Sequence, residues 1–81
     1  MTNLEKYNKV LKTCLRLEDD ELNENLMYNR HKNWNSVSHI DMISQLEETF
    51  AVQFSTIEIM RFSTYEKGIE ALEKFGVDFN K

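Results

Sequence analysis

The sequence predicts an all-α domain, three longer helices and one short helix packed as a small four-helix bundle. Three observations predict it. Proline is absent and only two glycines, Gly68 and Gly76, occur in 81 residues. That composition supplies few of the tight turns on which hairpin-rich β folds draw. Apolar residues recur at helical spacing in separate stretches. The pairs Thr2/Glu5, Ser55/Glu58 and Ser63/Glu66 each have the spacing of a capping box, in which two side chains satisfy backbone donors at a helix start.

A first helix is expected from about Leu4 to Leu17, with Leu4, Tyr7, Leu11, Cys14 and Leu15 on one stripe. Lys6, Lys9, Lys12 and Arg16 share another face, which reads as a solvated surface. From Glu18 to Trp34 the periodicity fails. The acidic run Glu18–Glu21 leads into Asn23, Asn25, Asn29 and Asn33, a long connection of the kind that is often functional in a small domain. Leu22, Leu26, Met27 and Tyr28 are expected to pin it across the helices, and Trp34 to end it at the rim of the core. A second helix runs near Ser36 to Phe50, with no standard capping box but with Asn35 or Ser36 able to accept from its first N–H groups. Residues 51–54 read as a short extended link. A short third helix follows Ser55 to about Phe62. A fourth, opened by Ser63 and Glu66, runs to about Phe75 with Tyr65, Ile69, Leu72 and Phe75 inward. Gly76 is a helix stop, and Val77–Lys81 a frayed tail. The whole, 1–81, is one domain with an ordered core of about 3–76.

Composition narrows the function. At this length only about 60% of the unfolded chain's surface is buried on folding, so a deep substrate cleft is not expected. The formal net charge is −4, from 14 acidic and 10 basic side chains. A nucleic-acid binder shows a basic stripe and a high pI instead, so no nucleic acid is expected as a partner. The acidic excess points toward basic protein surfaces. A single cysteine cannot form an intrachain disulfide. No signal-peptide pattern opens the chain and no apolar run approaches the ~18 residues of a membrane span. These features predict a soluble protein in a reducing, cytoplasmic setting.

The chemistry concentrates in residues 34–50. Ser36 stands where loop turns into helix, and Val37, Ile40, Ile43, Leu46 and Phe50 follow at helical spacing. Asp41, Glu47 and Glu48 lie around them. A hydroxyl at a helix start suits a phosphate-linked group, because free N–H groups and the positive end of the helix dipole face the anion. The carboxylates suit docking of basic partners, where rim charges speed encounter and fix orientation. Val37, Ile40 and Met42 offer apolar anchoring, with Val37 and Met42 the strongest contact candidates. Ile57, Ile59 and Met60 border a possible cleft, although Ile57 also reads as an ordinary core residue.

This stretch resembles the acyl and peptidyl carrier proteins, whose hallmark is Asp-Ser-Leu at the start of the second helix. Here Asn35-Ser36-Val37 stands at the hallmark, and Leu46-Glu47-Glu48-Thr49-Phe50 matches the family's Leu-Glu-Glu-x-Phe. Phe54-Ser55-x-x-Glu58-Ile59 is similar to the opening of the family's third helix, and Phe62-Ser63-Thr64-Tyr65 to the start of its fourth. Trp34 and His39 around the hallmark resemble stand-alone carriers of specialised pathways. The resemblance covers nearly the whole chain and is weakest between Glu18 and Asn33.

It implies a four-helix fold of acyl-carrier type and a 4′-phosphopantetheine arm, taken from coenzyme A, esterified to Ser36 beside Asn35 and Val37. The arm's thiol would hold an acyl or aminoacyl thioester, sheltered by a cleft along Ile57, Ile59 and Met60. The implied partners are a phosphopantetheinyl transferase, an acyl- or aminoacyl-loading ligase, and synthase or acyltransferase enzymes that dock on Val37, Asp41, Met42, Glu47, Glu48, Ile59 and Met60. The implied state is a non-catalytic monomer.

Two positions depart from the family. Asn35 keeps the size and an acceptor oxygen of the aspartate but not its charge, and is a poorer ligand for a hard cation such as the transferase's Mg²⁺. Val37 gives up one methylene of the family's leucine, worth roughly 0.8 kcal/mol if buried. Three other readings of the same residues stand beside the carrier. One is an adaptor of the same fold without an arm. The second is a hydrolase built on Ser36 and His39, which lacks an orienting acid and oxyanion donors. The third is a metal pair of His31 and His39, which leaves a site incomplete. His39 is otherwise expected at the surface, near the arm.

Overall fold

Four helices account for most of the chain in the computed structural model, which describes all residues, Met1–Lys81: α1 (Asn3–Leu15), α2 (Ser36–Phe50), α3 (Thr56–Arg61) and α4 (Tyr65–Lys74). There is no β-strand, only an isolated bridge between Met27 and Thr64. The all-α prediction of three longer helices and one short one therefore holds, with each boundary within about two residues.

Side chains at the helix starts explain these boundaries. Thr2 caps α1 and Ser55 caps α3, each in a complete capping box with Glu5 and Glu58. Helix α4 begins one residue later than the Ser63/Glu66 spacing implies. Thr64 is its cap, and its hydroxyl accepts from the Lys67 N–H at 3.1 Å. The C-terminal ends of α1 and α2 use Arg16 and Ala51 in the left-handed region, at φ 53° and 54°. There the chain turns sharply enough for Leu17 and Val52 to return N–H bonds to Lys12 and Glu47. An alanine in that conformation costs roughly 1–2 kcal/mol. The α2 stop is therefore held by the Val52 bond and by the burial of Phe54 just beyond it.

Helices α1 and α2 form the one extensive helix pair. Tyr7, Leu11 and Leu15 of α1 meet a core that includes Met42, Ile43 and Leu46 of α2, Phe62 after α3 and Leu72 of α4. Leu4, expected on the buried stripe, is exposed, and Cys14 is only half-buried. The Tyr7 hydroxyl donates to the Tyr65 carbonyl at 2.6 Å, and burial pushes its phenol well above the ordinary range. The Tyr65 hydroxyl in turn donates to Asn8 Oδ1 at 2.5 Å, so two polar ties join α1 to the start of α4.

Two segments are more ordered than their sequence suggests. The 18–33 connection starts as a 3-10 turn over Asp19–Glu21 and then runs along the α3–α4 junction. Tyr28 N–H donates to the Ser63 carbonyl at 2.9 Å and Tyr65 N–H to Leu26 at 3.3 Å. Trp34 is no rim residue: it is completely buried. The tail is not frayed either. Val77 N–H bonds the Leu72 carbonyl, Asn3 bonds the carbonyls of Asp78 and Lys81, and the Phe79 ring lies 5.7 Å from that of Tyr7. The packed chain therefore extends past residue 76, because Phe79 covers apolar surface that α1 and α2 leave open.

Gly68 sits inside α4, where alanine would ordinarily stabilise a helix by about 1 kcal/mol. A Cβ there would lie 2.2 Å from both Phe62 Cζ and the Tyr7 hydroxyl oxygen. Gly68→Ala is expected to destabilise by about 1–3 kcal/mol through overpacking, read as a lowered urea midpoint.

The carboxyl groups of Glu5, Glu21 and Glu58 are all held below their ordinary value of 4.5, chiefly by the backbone N–H groups of Thr2, Glu18 and Ser55. Because the folded values are depressed, the stability these groups contribute is present above 4.5 and is lost as pH falls through the lowered values. Thermal stability should fall as pH drops below 4.5, and fall less in the Glu5→Gln/Glu21→Gln/Glu58→Gln protein, as followed by the thermal midpoint across that range.

Candidate functional site

The α2 start is built so that Ser36 is spare. Asn35, extended at φ −122°, is the cap: its Oδ1 accepts from Val37 N–H at 3.0 Å and from Ser38 N–H at 3.1 Å. Ser38 completes a capping box that the sequence reading missed. Its Oγ accepts from Asn35 N–H at 3.0 Å and donates to the Asn33 carbonyl at 2.6 Å. The signal was present as Asn35-x-x-Ser38, with serine where glutamate is usual. With the Val37 and Ser38 N–H groups taken by Asn35 rather than by Ser36, the Ser36 hydroxyl stands exposed at the first helical position.

Two hollows meet at Ser36. On one side a cleft of about 350 Å³ is lined by Ser36 and Ile40 of α2, Ile59 and Met60 of α3, and Tyr28, His39 and Phe62. On the other side a polar hollow of about 420 Å³ includes Arg16, Asn35, Val37 and Asp41. Of the residues lining them, Val37, Ile40 and Met60 leave 57–75% of their surface in water. Three large apolar side chains around one hydroxyl exceed the scattered exposure normal for a surface. A further groove between α1 and α2, of about 820 Å³, is mostly polar and does not reach Ser36. It takes in Lys6, Lys9 and Arg16. Cys14 also lines it, and burial, followed by the Asp41 charge, pushes the thiol up and away from a reactive thiolate.

Several expected site residues move. Met42 is fully buried and is no docking contact. It shares the inward face with His39, Ile43 and Leu46, about 140° around the helix from Val37 at 3.6 residues per turn. Glu47 is half-buried, and its Oε2 accepts from Phe54 N–H at 2.9 Å, fastening the α2–α3 link rather than facing a partner. Asp41 and Glu48 are exposed on the face that Val37 begins. Ile59 is half-buried, and Met60 is exposed beside it. Ile57 is exposed, neither in the core nor lining the cleft.

His39 is the largest correction. It is 8% exposed and forms the floor of the cleft. Trp34 Nε1–H donates to His39 Nδ1 at 2.9 Å; an indole nitrogen can only donate, so Nδ1 carries no proton. His39 Nε2–H therefore donates to the Ile59 carbonyl at 2.8 Å. The rings of Trp34 and His39 lie edge to edge along their hydrogen bond, their centroids 6.1 Å apart and their planes 26° apart, and Tyr28 and Phe62 meet His39 in T-shaped contacts. Both ring nitrogens are thus used, and none is left to activate Ser36. His31 is engaged elsewhere, with Glu21 at 2.5 Å and Asn33 N–H at 3.1 Å. The two histidines therefore hold separate structural bonds.

The Trp34–His39 bond should couple strongly. Trp34→Phe leaves His39 Nδ1 without its donor and is expected to cost about 1–3 kcal/mol. A urea double-mutant cycle of Trp34→Phe with His39→Leu should give a coupling of about 0.5–3 kcal/mol; simple additivity would show that the bond contributes nothing.

No family model, curated protein or solved structure matches the chain, and no helix is long and apolar enough to cross a membrane.

Proposed function

We propose that this chain is an acyl carrier of the phosphopantetheine type. Ser36 holds the arm's phosphodiester, and the arm's thiol carries an acyl or aminoacyl group to partner enzymes. The observation that carries the reading is the exposed hydroxyl at the first position of α2, freed from capping by Asn35 and Ser38 and ringed by exposed Val37, Ile40 and Met60. The sequence resemblance to carriers across the second, third and fourth helices supports the same reading.

The division of labour follows from exposure. A phosphopantetheinyl transferase delivers the arm from coenzyme A and supplies the base and metal, so the carrier needs no activated nucleophile of its own. Loading ligases and synthases or acyltransferases meet the Val37, Ile40 and Met60 rim. Asp41 and Glu48 attract their basic side chains, an attraction that salt screens. The protein acts as a cytoplasmic monomer and catalyses nothing itself.

The neutral Asn35 favours one second reading, an adaptor of the same fold without an arm. Its amide oxygen is already shared by two backbone donors, and no carboxylate stands there for the transferase's Mg²⁺. Intact-mass analysis after incubation with coenzyme A and a broad-specificity phosphopantetheinyl transferase separates the two. The carrier reading expects one arm on the native protein, none on Ser36→Ala, and faster loading of Asn35→Asp. An arm gained by Asn35→Asp alone supports the adaptor.

A further inference from the structure

We infer that the group carried at Ser36 is a small one, because the seam between α2 and α3 is locked beneath the cleft. The inference rests on the carrier reading and adds a cargo class to it. A long hydrocarbon cargo is stable on a carrier only when its methylenes leave water, since the driving force scales with the apolar area removed. Ser36, Ile40 and Ile59 share the cleft with His39, which is buried at its floor. One ring nitrogen of His39 holds Trp34 and the other holds the Ile59 carbonyl, so the bonds span α2, the preceding loop and α3. Phe62 lines the cleft beside His39, and it, Trp34 and Met42 are packed to full burial. A chain drawn inward breaks both bonds and strands an indole N–H and a carbonyl in an apolar core.

What remains is the cleft itself. The limit it sets is one of cover, not of its volume of about 350 Å³. Its outer wall, Ile40 and Met60, is open to solvent. It offers a short acyl group, or the side chain of an aminoacyl group, a place to rest. It offers a long chain no way to complete its burial.

The test uses the full-length protein with Cys14→Ser and Ser36→Cys, the introduced thiol coupled as a mixed disulfide to ethyl, butyl, octyl or dodecyl chains. This tether needs no transferase, so the outcome is independent of whether Ser36 accepts an arm from coenzyme A. The thermal midpoint is expected to rise from ethyl to butyl and stay level to dodecyl, with the Trp34 indole N–H resonance unmoved throughout. With His39→Ala added, the rise should continue to dodecyl and the indole resonance should shift. A continued rise with His39 in place, a shifted indole resonance with the long chains, or a flat profile from ethyl onward overturns the inference. If His39→Ala does not fold, the indole resonance in the His39-bearing series decides alone.

Discussion

A buried imidazole that uses both of its nitrogens joins the parts of this chain that sequence distance keeps apart. His39 belongs to α2, its donor Trp34 closes the long connection, and its acceptor is a carbonyl of α3. Only one tautomer satisfies both bonds, so the ring's orientation is fixed along with its protonation. Helix α3 has just six residues and no fully buried side chain of its own. A helix that short is not stable by propensity. It is placed by its capping box, by Phe62 immediately after it, and by this bond to α2. The cleft beside Ser36 exists because α3 is held at this distance.

The long connection solves the matching problem on the other side of the core. Ordering an aperiodic segment costs about 1–2 kcal/mol of backbone entropy per residue, and its backbone groups need partners. The segment finds them at the α3–α4 junction, through Tyr28 and Leu26. It then turns at Asn29, in the left-handed region that asparagine tolerates, so that Asn29 N–H meets the Trp34 carbonyl. The turn delivers Trp34 to the centre of the core. Tyr28 ends as a wall of the cleft and Leu26 as core, so the connection supplies part of the candidate site and part of the scaffold.

The helices are legible in the sequence because their signals are local. Capping pairs and apolar spacing act within a few residues, and they locate α1, α2 and α3 closely. What they do not reveal is the pairing of distant groups. The indole donor lies only five residues before His39, but its inward turn, like the Ile59 carbonyl twenty residues on, is set by packing, so a polar residue at the edge of an apolar stripe reads as surface. Met42 misleads for a related reason: its position on the helix circle depends on which side the core lies, and the exposed apolar rim of Val37 and Ile40 disguises that side. The tail looks frayed because its docking residue, Phe79, lies beyond the last helix and its ring partners, Tyr7 and Phe50, are distant in sequence. Position alone singles out Ser36, but the reason its hydroxyl is free, the Asn35–Ser38 box, lies in a serine standing where a glutamate is usual.

On the carrier reading, that same box bears on the departure at position 35. A carboxylate at the cap would accept from Val37 and Ser38 as the carboxamide does, and would interact more strongly with the helix dipole. It would also place a negative charge next to a phosphodiester on Ser36, and at such range like charges repel. Asn35 keeps the cap geometry without that repulsion, at the expense of a ligand for the transferase's metal. The exposed Asp41 lies one turn beyond Val37, and Glu48 further along the same face. The acidic character of the docking face therefore begins away from the attachment point. Attraction of basic partners and tolerance of the phosphate are thereby separated along α2.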